Sequence, residues 1–143
     1  MTVIFSKKCE YGMQAVLYLA AQKKGILITA DEISKVLRIP KEFLSKILQD
    51  LRESGLIYSI RGKTGGFGLA KDPSEIKLID VIEAIDDLKM FTSCVLGFPK
   101  CTSETPCPVH NKWSDLRTQA YDMLTSETLD KLKTKTLEKI ASL

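Results

Sequence analysis

The sequence lacks long hydrophobic runs and is poor in aromatic residues. Aromatic side chains make up 7% of the 143 residues, with one tryptophan and one histidine. No apolar stretch approaches the roughly 20 residues that a membrane-spanning helix needs. The N-terminal segment MTVIFSKKCEYGMQ also lacks the apolar core and small-residue cleavage site of a secretory signal. These absences predict a cytoplasmic protein with no membrane partner.

Histidine and closely spaced cysteine pairs are also scarce, which argues against several enzyme classes. A thiol redox enzyme needs a cysteine of low pKa beside a resolving partner. The cysteines stand at positions 9, 94, 101 and 107, so no two are closer than six positions, and His110 is the sole histidine. We predict that the protein is not an enzyme. Two alternatives stay open: a thiol redox enzyme, and a protein-interaction module that has no DNA operator.

The charge is unevenly distributed along the chain, although the formal net charge is only +3. Residues 1–73 contain 12 lysines and arginines against 7 acidic residues, whereas residues 74–143 contain 9 against 11. A basic N-terminal half favours a polyanionic partner such as nucleic acid. The hydrophobic content of 44% suffices for one compact core, and the length excludes two large domains.

The pattern of residues 1–73 predicts a winged helix-turn-helix. Capping residues, apolar residues at helical spacing and β-forming stretches follow one another in the order of that fold. The first helix is capped by Ser6 and is followed by a very short strand at 26–28. The second helix is capped by Thr29, with Glu32 in a capping box, and the third begins at Pro40 and ends at Gly55. A hairpin of strands 56–60 and 67–70 around the turn RGKTGG completes the unit.

The third helix and the hairpin turn carry the predicted DNA contacts. In helix-turn-helix recognition the third helix enters the major groove, and dimer symmetry gives a near-palindromic operator in double-stranded DNA. Five apolar residues are predicted to face the core: Phe43, Leu44, Ile47, Leu48 and Leu51. The opposite face and the turn supply the candidates: Ser45, Lys46 and Gln49 for base edges, Lys41 and Arg52 for phosphates, Arg61 for the minor groove, and Lys63 with the Gly65 and Gly66 backbone near phosphate.

The C-terminal half predicts a linking helix, an irregular loop, a pairing helix and a last helix. The linking helix carries Leu78 to Ile85 and loses its pattern near Asp86, and Ser126 can cap the last helix. Between them, apolar residues at heptad spacing indicate a helix that pairs with a second copy: Val109, Trp113, Leu116, Ala120 and Met123. We therefore predict a winged helix-turn-helix at 1–73, a linking helix and cysteine loop at 74–108, and dimerisation and C-terminal helices at 109–143. The fold class is mainly α with a small β-hairpin wing.

The stretch CVLGFPKCTSETPCPVH at 94–110 holds three cysteines and the histidine. Thiols in the cytoplasm stay reduced, so clustered cysteines there favour metal binding or redox chemistry over structural disulfides. An irregular, proline-broken loop can direct several thiolates toward one polynuclear centre. A zinc site and metal-free redox thiols stay open, although zinc usually takes a more closely spaced cysteine pair. Cys9, in the first helix, is predicted to be a small packed side chain.

Three further segments carry a resemblance to a known family: SKKCEYGMQAVLYLA, LSKILQDLRESGLIYSIRGKTGGFGLA and IDVIEAID. Together with the cysteine loop, they resemble the bacterial winged-helix regulators that include the iron-sulfur cluster assembly regulator and the nitric-oxide-sensitive repressor. The resemblance covers nearly the whole chain. It implies a homodimeric transcriptional regulator whose long helix crosses its partner and whose loop holds an iron-sulfur cluster that reports iron-sulfur, redox or nitric oxide status.

The resemblance also implies the cluster ligands, residue by residue. Cys94, Cys101 and Cys107 match the three cysteine ligands of the family. His110 stands where a histidine completes a 2Fe-2S site, and Glu10 is the alternative fourth ligand, since other members donate a carboxylate from this position of the first helix. We expect His110 and a 2Fe-2S cluster in preference to a 4Fe-4S cluster.

Overall fold

The computed structural model describes residues 4–143 and shows a mainly helical fold with one two-stranded antiparallel sheet. This confirms the fold class expected from the sequence. Short 3₁₀ turns lie at Pro73–Glu75 and Lys89–Phe91. The longer elements are α1 (Lys7–Ala20), α2 (Ala30–Leu37), α3 (Lys41–Glu53), β1 (Ile57–Ile60), β2 (Gly66–Leu69), α4 (Leu78–Ile85), α5 (His110–Ser126) and α6 (Leu129–Ala141).

Helix α1 begins where the sequence predicts it and is tied there to the end of α4. Ser6 Oγ accepts a hydrogen bond from the Cys9 backbone N–H at 3.0 Å, which satisfies one of the free donors of the first turn. The same hydroxyl donates toward the Asp86 carboxylate, whose two oxygens lie 2.8 and 2.9 Å away. The cap of one helix is therefore held by the residue that ends another.

The helix-turn-helix is formed by α2, a tight turn and α3. Thr29 Oγ1 accepts from the Glu32 N–H at 3.1 Å and caps α2. Arg38 closes the helix in the left-handed conformation, with φ of 56°, and Pro40 directly precedes α3. Left-handed geometry at a helix end followed by proline gives a sharp change of direction. This turn places α3 across α2 with its polar face outward.

The wing is the β1–β2 hairpin, with Ile57 opposite Leu69 and Ile60 opposite Gly66. The expected strand at 26–28 is only a single bridge, in which Ile28 exchanges backbone hydrogen bonds of 2.9 and 2.7 Å with Phe67. This close approach requires glycine at position 66, which has a φ of +153° and where a Cβ would lie 2.8 Å from the Ile28 backbone.

The sequence reading of α3 is confirmed at four core positions and wrong at the fifth. Leu44, Ile47, Leu48 and Leu51 are buried. Phe43 is 41% exposed, because it lies beside the buried stripe in the first turn. Its ring packs edge-on against Tyr11, with centroids 5.6 Å apart.

The last helix returns to the N-terminal unit. Helix α6 packs on α1, and Leu129 donates its N–H to the Ile76 carbonyl at 2.9 Å beside a bridge between Lys77 and Thr128. Ser126, expected to cap α6, instead ends α5, and Thr128 precedes α6. The division at 73 and 108 stays a prediction. Within residues 4–143, no helix is both long and apolar enough to cross a membrane.

Candidate metal centre and nucleic-acid interface

The segments before and after the cysteine loop are both held by contacts with other parts of the chain. Before the loop, α4 shares a small apolar cluster with Cys9 of α1 and Leu124 of α5. After it, the first turns of α5 are tied back to the loop, since Trp113 Nε1 donates to the Ser93 carbonyl at 2.8 Å. The role of Ser93 could not be predicted from the sequence, because it acts through its backbone carbonyl, which every residue type has. Both ends of the loop are thus fixed by packing, while its interior is irregular.

The three loop cysteines converge, and His110 lies beside one of them, Cys101. The Sγ atoms of Cys94, Cys101 and Cys107 all lie within 4.8 Å of one another, and none is in a disulfide. The Cys94 and Cys107 sulfurs lie 3.5 Å apart. Cys101 Sγ lies 3.2 Å from His110 Nδ1. Cys101 Sγ also accepts a hydrogen bond from the Cys107 N–H at 3.4 Å, so the two close contacts belong to one connected group.

The backbone around these sulfurs supplies hydrogen bonds that act on their ionisation. Desolvation alone would raise the pKa of Cys94, but the N–H groups of Phe98 and Leu96 and the neighbouring thiols outweigh it and lower the pKa to about 7. For Cys107, desolvation and the two neighbouring thiols raise the pKa, opposed by the Val109 N–H. Cys94 is thus converted to the thiolate, the form that binds metals, more readily than Cys107.

The donor set fits a soft metal centre. Two thiolates on one tetrahedral metal ion lie about 3.8 Å apart, given a metal–sulfur bond of about 2.3 Å. The 3.5 Å between the Cys94 and Cys107 sulfurs is close to that spacing. In a 2Fe-2S cluster each iron takes two protein ligands. The loop offers two close contacts between soft donors, one between two sulfurs and one between a sulfur and an imidazole nitrogen.

Glu10 and Cys9 lie outside this group in the chain. The Glu10 carboxylate is 3.4 Å from Lys7 Nζ on α1 and does not belong to the cluster of potential ligand atoms. Cys9 is fully buried, as expected of a packed side chain. Desolvation and the adjacent Asp86 carboxylate raise its pKa to about 12. Cys9 is therefore held in its protonated form.

The exposed face of α3 presents the residues predicted to read bases. Ser45, Lys46 and Gln49 are all exposed. The Ser45 hydroxyl donates to the Lys41 carbonyl at 3.0 Å, and Gln49 Nε2 donates to Glu53 at 3.3 Å. Among residues 4–143, Lys46 makes no ion pair. These weak local contacts leave the three side chains free to exchange them for a duplex.

The two predicted phosphate contacts of α3 link it to its neighbours. Arg52 Nη1 donates to Ser59 Oγ on β1 at 3.3 Å, and Lys41 Nζ lies 3.5 Å from Asp31 on α2. A further ion pair, between Lys8 and Asp50, joins α1 to α3. These polar contacts connect α3 to three neighbouring elements, in addition to the packing of its four buried residues.

The wing tip exposes Arg61 and Lys63, but its glycines have a structural reason of their own. Gly65 is buried, and its N–H donates to the Gly62 carbonyl at 3.1 Å. A Cβ at Gly65 would lie 2.0 Å from the Ile60 carbonyl oxygen. The turn therefore needs glycine whether or not DNA is present, and the phosphate contacts of Gly65 and Gly66 stay predictions.

The heptad residues of α5 do not share one environment. Leu116 and Met123 are 57% and 56% exposed, as unpaired seam residues would be. Ala120 and Val109 are half-buried, and half-buried Trp113 packs toward its own loop. An apolar strip on α5 thus stays uncovered within one chain.

A helix-turn-helix with a basic wing, followed by a helix with an uncovered apolar strip, is typical of a DNA-binding transcriptional regulator. The chain belongs to the Rrf2 family, described as iron-dependent transcriptional regulators, whose profile matches residues 5–135. A protein of Aquifex aeolicus named as an HTH-type transcriptional regulator is 38% identical over 132 residues, covering 91% of each chain. IscR of Vibrio parahaemolyticus is 32% identical over 129 residues, covering 90% of this chain and 76% of its own.

Solved structures agree with this assignment. IscR of T. potens superposes with a TM-score of 0.71 at 27% identity, covering 94% of this chain and 88% of its own. CymR, the global cysteine regulator of B. subtilis, superposes with a TM-score of 0.78 at 24% identity, covering 94% and 98%. The second likeness shows the fold.

Proposed function

We propose that this Rrf2-family regulator is a homodimer that senses iron-sulfur, redox or nitric oxide status through an iron-sulfur cluster held by Cys94, Cys101, Cys107 and His110. The observation that carries the proposal is the convergence of three loop sulfurs within 4.8 Å of one another, with the His110 imidazole 3.2 Å from one of them. The likeness to IscR proteins supports it. We expect a 2Fe-2S cluster, and Glu10 is the alternative fourth ligand.

When bound, the cluster would supply a redox-active and nitric-oxide-reactive centre next to the DNA-binding unit. Contacts of the chain connect the loop to α3. The loop follows α4, whose last residue is followed by Asp86, the partner of Ser6 at the start of α1. Lys8 on α1 in turn pairs with Asp50 on α3. A regulatory switch through these contacts requires that the two loop states differ in DNA affinity.

DNA recognition follows from the exposed face of α3 and the wing. In a twofold dimer, two α3 helices would enter successive major grooves of a near-palindromic operator. Ser45, Lys46 and Gln49 would meet base edges, while Arg61 and Lys63 would lie against the backbone and the minor groove. A binding selection from random duplexes tests this reading. A selected motif without twofold symmetry would contradict the dimeric arrangement.

Purification without oxygen tests the metal centre. We expect visible absorption with iron and acid-labile sulfide in the wild type, and loss of both in Cys101→Ala. Cys9→Ala is the matched control, because it removes the cysteine that lies outside the loop and should keep the spectrum. A colourless protein with stoichiometric zinc, or iron that survives Cys101→Ala, would contradict the assignment.

A second candidate function is metal-free thiol sensing, which the 3.5 Å between the Cys94 and Cys107 sulfurs favours. A disulfide needs about 2.05 Å, so a small movement would bring these sulfurs into bonding distance. A peroxide would take two electrons from the two thiols, which lose two protons, and would itself be reduced to water. Mass spectrometry of peroxide-treated, iron-free protein would show a loop disulfide, and DNA binding that is indifferent to it would exclude this mechanism.

A further inference from the structure

A small cleft separates α5 from the 3₁₀ turn that precedes the cysteine loop. Its volume is about 280 Å³, and it is lined by Phe91, Ser114, Arg117, Thr118 and Tyr121. The Phe91 and Tyr121 rings meet edge-on, with centroids 5.3 Å apart. Aromatic rings, side-chain hydroxyls and one guanidinium therefore line an open cleft large enough for a compact polar group.

The guanidinium in this cleft is incompletely satisfied. Nε of Arg117 is buried and has no hydrogen-bond partner, and among residues 4–143 it is the one buried side-chain nitrogen or oxygen in that condition. Its Nη1 reaches the Ser93 carbonyl only at 3.4 Å. Buried polar groups in folded proteins nearly always have partners, and a charged donor is the costliest to leave without one. The Arg117 side chain therefore has a donor that no group within residues 4–143 satisfies.

The missing acceptor is best supplied by a negative group. Within residues 4–143, no carboxylate lies in ion-pair range of Arg117. A guanidinium offers a planar fork of N–H donors that fits carboxylate or phosphate oxygens. A neutral or cationic occupant would leave the arginine charge uncompensated in a partly buried site.

We propose that the Arg117 cleft is an oxyanion-binding site at the base of the cysteine loop. The oxyanion is a carboxylate or phosphate group, either of a small free molecule or of an acidic side chain from a second copy of this chain. The second source is available in a dimer because Asp115 and Asp122 lie exposed on the same helix. The site does not depend on a bound cluster, so it can be tested apart from the proposed function.

The site has a built-in reporter. Trp113 is the sole tryptophan of the chain, and its indole N–H donates to the same Ser93 carbonyl that Arg117 approaches. An oxyanion that draws the guanidinium into a new geometry changes the surroundings of this indole. Its fluorescence therefore responds to occupancy of the cleft.

The experiment titrates the iron-free full-length chain with sodium acetate or sodium phosphate against sodium chloride at constant ionic strength. We expect a saturable change in Trp113 emission with an oxyanion, and a dissociation constant raised at least tenfold in Arg117→Gln. Arg117→Lys keeps the charge but lacks the Nε donor, so it should also bind weakly. Lys112→Gln is the matched control, since it removes an exposed cation of α5 that does not line the cleft, and it should bind like the wild type.

Sedimentation equilibrium separates the two sources. If free oxyanions have no effect on the wild type but Arg117→Gln weakens the dimer at least tenfold, the group comes from the second copy. In that case Asp115→Asn or Asp122→Asn should weaken the dimer by a similar factor. A double variant that combines the effective aspartate substitution with Arg117→Gln should have nearly the same dimer dissociation constant as either single variant. An unchanged emission together with an unchanged dimer, or equal effects in Lys112→Gln, would overturn the proposal.

Discussion

Gly12 offers a sharp test of how α1 and α4 pack, and this packing positions the start of the cysteine loop. Gly12 is buried in the middle of α1. A Cβ at this position would lie 2.0 Å from Cδ1 of Ile85, a distance that carbon atoms do not tolerate. The contact is to the end of a side chain, so Gly12→Ala forces Ile85 to move. Ile85→Val removes the clashing methyl group.

The magnitudes follow from these atoms. Overpacking a core costs about 1–3 kcal/mol, and replacing glycine by alanine within a helix returns about 1 kcal/mol. Gly12→Ala alone should therefore destabilise the protein by about 0–2 kcal/mol. Ile85→Val alone should cost about 0.5–1.5 kcal/mol. In the double variant the clash disappears while the helix gain remains, so the coupling between the two changes should stabilise by about 1–3 kcal/mol.

Urea unfolding followed by circular dichroism measures this cycle. The four proteins should be compared at one protein concentration and with the same metal content, because binding and association shift apparent stability. Gly12→Ala with Val16→Ala is a suitable control cycle, since Val16 is buried on the same helix but is not the residue that a Cβ at Gly12 would strike. If the free energies of Gly12→Ala and Ile85→Val were additive, the two positions would not be coupled. The clash between a Cβ at position 12 and the Ile85 side chain would then be refuted.

Four shorter predictions concern the interface, the thiols and the helix cap. Lys63→Ala should reduce the steepness of log K, the DNA association constant, against log salt concentration by about 1.8 in a homodimer, at about 0.9 for each phosphate contact. Fluorescence anisotropy titrations at several salt concentrations measure this slope, and an unchanged slope would mean that Lys63 does not contact DNA. In iron-free protein at pH 7, Cys94 with its pKa of about 7 should be alkylated before Cys107, whose pKa is raised, and before Cys9 with its pKa of about 12, because the thiolate is the reactive form. Peptide mapping by mass spectrometry measures the order, and early labelling of Cys9 would contradict its burial. Ser6→Ala should lower the free energy of unfolding by about 1 kcal/mol through the lost cap, and an unchanged urea midpoint would argue against it. Leu116→Asp should produce a monomer in size-exclusion chromatography, since it places a charge in the expected seam; a persisting dimer would put the interface elsewhere.

The parts of the fold that local chemistry specifies could be predicted from the sequence. Ser6 and Thr29 cap helices because their side-chain oxygens accept bonds from the next turn, which depends only on neighbouring residues. The limits of α3 follow equally from Pro40 and Gly55. Position Phe43 shows the limit, since a residue at the margin of an apolar stripe is covered or exposed according to its tertiary neighbours.

The candidate site was predictable in composition but not in arrangement. Soft ligands within one short stretch mark the site, because few other functions gather them in an irregular loop. The pairing of Cys94 with Cys107, and of Cys101 with His110, depends on the path of the loop between its anchored ends. Arg117 carried no signal at all, because a missing acceptor becomes visible only after every other contact has been assigned.

The return of α6 to α1 has a consequence for how this architecture can diversify. The bridge between Lys77 and Thr128 closes the base of an excursion that contains α4, the loop and α5. The two ends of this excursion are therefore held together where they leave the helix-turn-helix unit. The loop can therefore change in length and in its ligands without altering the helix-turn-helix unit. An architecture of this kind can respond to a different chemical signal while its DNA-binding surface keeps the same structure.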